Sequence, residues 1–164
     1  MSKAVLNSSV IIALSTLGYL NKLNSLFREI LIAKAVYEEI CSAGQGLSGE
    51  HELEEAVKTN LIKVKDIKNR LLVTALLDPL AVGEAETIAL AIDEKADQIV
   101  LDDKPARRKA KAMNLDVIGT LRILRMMYDA KLISKTEIIK ALTKLRETGF
   151  RISEDVINKV TNEL

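Results

Sequence analysis

The residues in this sequence best suited to chemistry are oxygen donors. Asn7 follows the apolar pair Val5-Leu6, and Asp102 and Asp103 follow Ile99-Val100-Leu101. Glu38 and Glu39 lie on a helical stretch behind a second apolar run, and Glu84 opens another behind Leu80-Ala81-Val82-Gly83. With the apolar runs as parallel strands, a crevice forms beyond their carboxyl ends, and four separate segments can converge there. Hard divalent cations such as Mg2+ or Mn2+ take oxygen ligands, and three or four carboxylates are the usual protein share when water and phosphate supply the rest. A cation held this way activates water and neutralises charge on a phosphodiester under in-line attack.

Each donor also has a purely structural use. Asp102 or Asp103 can cap a helix whose first turn contains Pro105. Glu84 suits the positive end of a helix dipole, Glu38 and Glu39 suit a solvated face, and Asn7-Ser8-Ser9 is a good N-cap cluster. Behind the acidic pair stand Lys104, Arg107, Arg108, Lys109 and Lys111, of which Lys104, Arg107, Arg108 and Lys111 share a helical face. Beside a cation crevice that face could grip a phosphate backbone; alone it reads as a solvated surface.

The elements that must position these groups read as α/β. Short apolar runs at 3–6, 29–32, 62–66, 98–101 and 116–118 suit buried parallel strands, and segments of helical period at 9–17, 21–27, 34–42, 50–59, 83–95 and 105–113 alternate with them. After Ile118 only helices follow, including a capping box of Ser134 and Glu137 and a last helix from Ser153. Ile138, Ile139, Leu142, Leu145, Val156, Ile157 and Val160 commit this part to packing rather than to a helix-turn-helix reader of DNA. The apolar runs at 71–77 and 121–128 leave spare surface, which makes a homodimer plausible. One domain over 1–164 is expected.

Composition removes the alternatives. With 24 Lys and Arg against 23 Asp and Glu, the net charge of +1 gives no bulk attraction to nucleic acid, so any contact with RNA must be local. Aromatic residues are 3% with no Trp, which excludes base stacking as the main grip. A single His, His51, and a single Cys, Cys41, cannot build a structural zinc site, and His51 between two glutamates reads as a surface residue. The three glycines at 44–49 match a dinucleotide pattern, but a helix precedes them where a strand is required, so they read as a loop. The N-terminal uncharged run is broken by Asn7, Ser8 and Ser9, lacks a cleavage site and suits neither a signal peptide nor a membrane span. A cytoplasmic location is expected by elimination.

Several segments together resemble the PIN domains, the fold of VapC-type toxin ribonucleases. They are Val5-Leu6-Asn7-Ser8-Ser9-Val10-Ile11-Ile12-Ala13-Leu14, Ala35-Val36-Tyr37-Glu38-Glu39-Ile40, Gly83-Glu84-Ala85-Glu86-Thr87-Ile88-Ala89-Leu90-Ala91 and Leu101-Asp102-Asp103-Lys104-Pro105-Ala106-Arg107-Arg108. Ile118-Gly119-Thr120-Leu121 and Gly149-Phe150-Arg151-Ile152-Ser153 fit as well, so the resemblance spans nearly the whole chain. It implies a three-layer α/β/α domain and a ribonuclease site using Mg2+ or Mn2+. Glu39, or Glu38 in a shifted register, would be the second acid, Glu84 the third, and Asp103 the fourth with Asp102 beside it. Ser9 and Thr120 would be polar neighbours on the substrate side, with Lys104, Arg107 and Arg108. A homodimer and a small antitoxin-like hetero-partner are also implied.

Asn7 departs from this pattern, because the first acid is expected there. Its amide oxygen can ligate a cation but carries no formal charge, and one carboxylate charge is worth on the order of 4 kcal/mol per unit of cation charge at ~4 Å and an effective dielectric of about 20. Three outcomes follow: a weakened nuclease, a site completed by a partner, or a catalytically inactive module that binds RNA or protein.

Overall fold

Ala4, Val5 and Leu6 expose no surface, and neither do Leu31, Ile32 and Ala33, as expected of parallel strands covered on both faces. In the computed structural model, which describes residues 2–41 and 49–164, these runs form β1 (Ser2–Leu6) and β2 (Phe27–Ala33). With β3 (Lys63–Lys65), β4 (Gln98–Val100) and β5 (Val117–Ile118) they build one parallel sheet in the order β3-β2-β1-β4-β5. In register, Val5 of β1 pairs with Leu31 of β2 on one side and with Ile99 of β4 on the other. The helices α1 (Ser8–Thr16), α2 (Lys34–Cys41), α3 (Glu50–Lys58), α4 (Arg70–Leu76), α5 (Val82–Asp93) and α6 (Lys104–Ala112) flank it in a three-layer α/β/α arrangement. The glycine-rich stretch at 44–48 lies outside the described residues, as does the expected end of a helix at 42.

The helix at the centre of this packing is α5. Every residue from 85 to 91 is buried, and several are alanine, so the helix can lie close to β1, β2 and β4 and still touch α2 and α4. One expected helix is of another kind. The segment at 21–27 is a 3-10 turn, Leu20–Ser25, because Asn21, Asn24 and Ser25 prefer local backbone bonds to a helix interior. β2 then begins at Phe27, which is buried, two residues earlier than the apolar run suggests.

The chain divides into two compact units, Met1–Thr120 and Leu121–Leu164. In the second unit, α7 (Thr120–Asp129) continues from Thr120, followed by α8 (Lys135–Glu147) and α9 (Glu154–Asn162). The expected capping box is present, with the Glu137 amide donating to Ser134 Oγ and the Ser134 amide to Glu137 Oε1, both at 3.1 Å. Ser153 caps α9, accepting from Val156 N at 3.2 Å. Two readings need correction. Ile123, Leu124 and Met127 are buried, so the spare surface of the run at 121–128 shrinks to the half-buried Leu121, Met126 and Tyr128, whereas Leu71 of α4 is 80% exposed. The packing face assigned to α9 is only partly covered: the helix touches α8 and half-buries Ile157 and Val160, but Val156 is exposed and no residue of α9 is fully buried. Among the described residues no helix is long and apolar enough to cross a membrane.

Leu31→Ala, which empties a fully buried site in β2, is expected to lower the unfolding free energy by about 3 kcal/mol. Ser134→Ala, which removes one cap, should lower it by about 1 kcal/mol. Urea titration followed by circular dichroism checks both, and equal losses would contradict this division between core and cap.

Candidate functional site

The strand order reverses at β1, with β2 and β3 on one side and β4 and β5 on the other. Such a reversal opens a crevice over the carboxyl ends of the two central strands. Asn7 is the first residue past β1, and its amide donates to Val100 O at 3.2 Å, extending the ladder to the crevice mouth. Asp102 and Asp103 follow β4 after one further residue, Leu101.

The opposing wall is made by α2 and α5. A Cβ built on Gly83 would stand 3.0 Å from Glu39 Oε2 and 3.8 Å from Asn7 Oδ1. Both oxygens therefore face the same patch of α5 backbone, which glycine leaves open. Asn7 occupies the N-cap position of α1, but its side chain makes no cap bond. Its Oδ1 is buried and unpartnered, and the residue is only 5% exposed. A buried carbonyl oxygen without a donor costs about 1–3 kcal/mol, which a hard cation would recover. Of the two alternatives on α2, Glu39 is the one that reaches Gly83, the glycine that Asn7 Oδ1 also faces. Glu38 joins it with Ala35, Val82 and Glu86 along a cleft of about 740 Å3.

Glu84 stands in the first turn of α5, and its carboxylate interacts back with the amide of the N-cap residue Ala81, one half of a capping box. Its pKa is pushed up to about 7. Burial is the largest cause, followed by a hydrogen bond with Asp103 and the charge of Asp103; the Ala81 amide pulls the other way, and the charge of Glu39 adds to the rise. Glu84 thus feels the charge of both Asp103 and Glu39, which come from separate segments of the chain.

The aspartate pair divides its work. Asp103 caps α6, with Oδ2 accepting from Ala106 N at 3.1 Å, so the structural use and the crevice position coexist. Asp102 Oδ2 accepts from Thr120 Oγ1 at 2.7 Å and Ser9 Oγ at 3.1 Å, and its Oδ1 accepts from Thr120 N at 2.8 Å. Ser9 and Thr120 hold Asp102. Arg107 is not part of a free basic face: Nη1 donates to Leu101 O at 2.7 Å, because the carbonyl at the strand end needs a donor. Lys104, Arg108, Lys109 and Lys111 remain exposed, and so does His51.

Among the described residues no three His, Cys, Asp or Glu side chains are gathered as a ready cation cage. The donor beside Glu39 is the amide of Asn7, and Asp103 is engaged by Glu84 and by α6. Sequence reasoning passed over Glu86, which is 7% exposed, accepts from Ala35 N at 3.1 Å through Oε1 and pairs with Arg70 Nη1 at 2.9 Å through Oε2. The available signal was a lone carboxylate inside a run of Ala, Thr, Ile and Leu, which only partners can make tolerable.

An acid whose pKa is higher in the folded than in the unfolded state stabilises the fold fully below its unfolded pKa and loses that contribution as pH rises through the folded one. For Glu84 the window runs from 4.5 to about 7. The cation-free protein should therefore lose stability across it, and Glu84→Gln, neutral throughout, should flatten that part of the profile. Thermal unfolding at a series of pH values decides, and a variant that keeps the wild-type slope would contradict the assignment.

No curated protein is similar enough to the chain to count as a match. A domain of a functionally unknown protein from Methanocaldococcus jannaschii DSM 2661 is similar at 18% identity over 73% of this chain and 91% of that one, with a TM-score of 0.47. The family model DUF3368, described as a PIN domain, matches residues 3–164. PIN domains are commonly nucleases and generally use divalent metals. The chain, with its parallel five-stranded sheet and acids at the carboxyl ends of its central strands, belongs to the PIN-domain family.

Proposed function

We propose that the chain is a ribonuclease dependent on Mg2+ or Mn2+, acting as a single PIN-like domain over 1–164. The observation that carries this reading is the buried, unpartnered Oδ1 of Asn7, facing the same glycine as Glu39 in a crevice shared with Glu84 and Asp103. Those four residues would hold the cation, and their oxygen chemistry fits it. When bound, the cation supplies activated water and neutralises charge on the phosphodiester. Asp102, fixed by Ser9 and Thr120, stands beside Asp103 and keeps the β4 end of the crevice in shape. Lys104 and Arg108 present positive charge to the RNA backbone, while Arg107 braces the loop through Leu101.

Other parts of this reading concern partners. The apolar surface at Leu71, Leu77 and Val82 suits a protein contact, and a homodimer or a small antitoxin-like protein would use it inside the cell. The uncharged amide at Asn7 favours a second reading, in which the chain binds RNA or a protein partner without cutting.

Mn2+ titration calorimetry paired with RNA cleavage separates the two. Asn7→Asp should bind Mn2+ at least tenfold more tightly and cut faster, and Glu84→Ala should do neither; silence of wild type, Asn7→Asp and Glu84→Ala alike would leave the binding module. Lys104→Ala with Arg108→Ala should weaken RNA binding and reduce the slope of log affinity against log salt by about 1.4 if each contacts one phosphate of a single strand. An unchanged slope would return that helix to solvent.

A further inference from the structure

The first turn of α2 has amides with no acceptor inside the helix. One of them, Ala35 N, donates to Glu86 Oε1 at 3.1 Å, so a side chain of α5 caps α2. The other oxygen of Glu86 receives Arg70 Nη1 of α4 at 2.9 Å. Glu86 is buried, and a buried carboxylate is tolerable only where charge and hydrogen bonds meet it; here a helix N-terminus and a guanidinium do so together. An apolar residue would serve packing alone at least as well, so the arrangement points to a requirement of position. Ala35 and Glu39 lie one turn apart on α2, and Gly83 and Glu86 lie nearly one turn apart on α5. The bond from Ala35 to Glu86 therefore joins the same two turns whose other residues set Glu39 Oε2 against Gly83.

We propose that Glu86 is a positioning residue for the candidate cation site: by tying the Ala35 amide to α5 it fixes how far Glu39 stands from Gly83 and Asn7. The proposal rests on reading that crevice as a cation site. Glu86 acts through α2, with its own oxygens committed to Ala35 and Arg70.

The test compares wild type, Glu86→Ala, Glu86→Gln and Ile88→Val by amide hydrogen exchange at 34–39 and by Mn2+ titration calorimetry. Glu86→Ala should speed exchange at Ala35 at least tenfold and weaken Mn2+ binding by about tenfold, the lower end of the loss seen when a ligand's supporting partner is removed. Glu86→Gln, which keeps an acceptor, should restore most of both. Ile88→Val, a core change on the same helix, should lower the melting temperature and leave Mn2+ affinity alone. Should Glu86→Ala fail to fold, Glu86→Asp, which keeps the charge and shortens the reach, takes its place with the same expectation. Wild-type exchange and Mn2+ affinity in Glu86→Ala would overturn the proposal, as would an equal loss of Mn2+ affinity in Ile88→Val. Absence of Mn2+ uptake by wild type would overturn the cation reading instead, and exchange at Ala35 would still decide whether Glu86 holds α2.

Discussion

Taking a carboxylate out of water is costly, and the site is arranged around that cost at Glu84 and the charges beside it. Glu84 takes the largest share, its proton held up to about pH 7 by burial and by Asp103. Asp103 is steadied by the first turn of α6, and Asp102 by three donors from Ser9 and Thr120. Asn7 removes a fourth charge from the same space. In the proposed cation site, an amide there would repel the neighbouring acids less than a carboxylate and would attract the ion less.

The sheet explains why the crowding occurs where it does. Because β1 is flanked by β2 and β4, the chain leaves the two central strands in different directions and a gap opens above them. α5 crosses behind that gap on small residues, close enough for Gly83 to face Asn7 and Glu39, and its buried length anchors Glu84 and Glu86 at one end.

Much of this was legible in the sequence, for definite reasons. The strands β1 and β2 are buried on both faces, which makes them continuous apolar runs, and Asn7 and Asp102-Asp103, just past β1 and β4, stand where the strand order reverses. Glu39 was harder to separate from Glu38, because both are exposed on α2 and only the approach to Gly83 distinguishes them. Side-chain partners were not legible. Spacing places Asn7 at an N-cap but cannot show that its oxygen turns away from the helix, and it places Arg107 on a basic face but cannot show the Leu101 carbonyl that holds it. The 3-10 turn was missed because apolar Leu20, Leu23 and Leu26 mimic helical period while Asn21, Asn24 and Ser25 undo it.

Asp103 belongs to two structures at once, one oxygen holding the start of α6 and the carboxyl as a whole facing Glu84. The helix that bears Lys104 and Arg108 is thus mechanically geared to the acid cluster. A change at either end, in the protonation of Glu84 or in the first turn of α6, is felt at the same carboxylate.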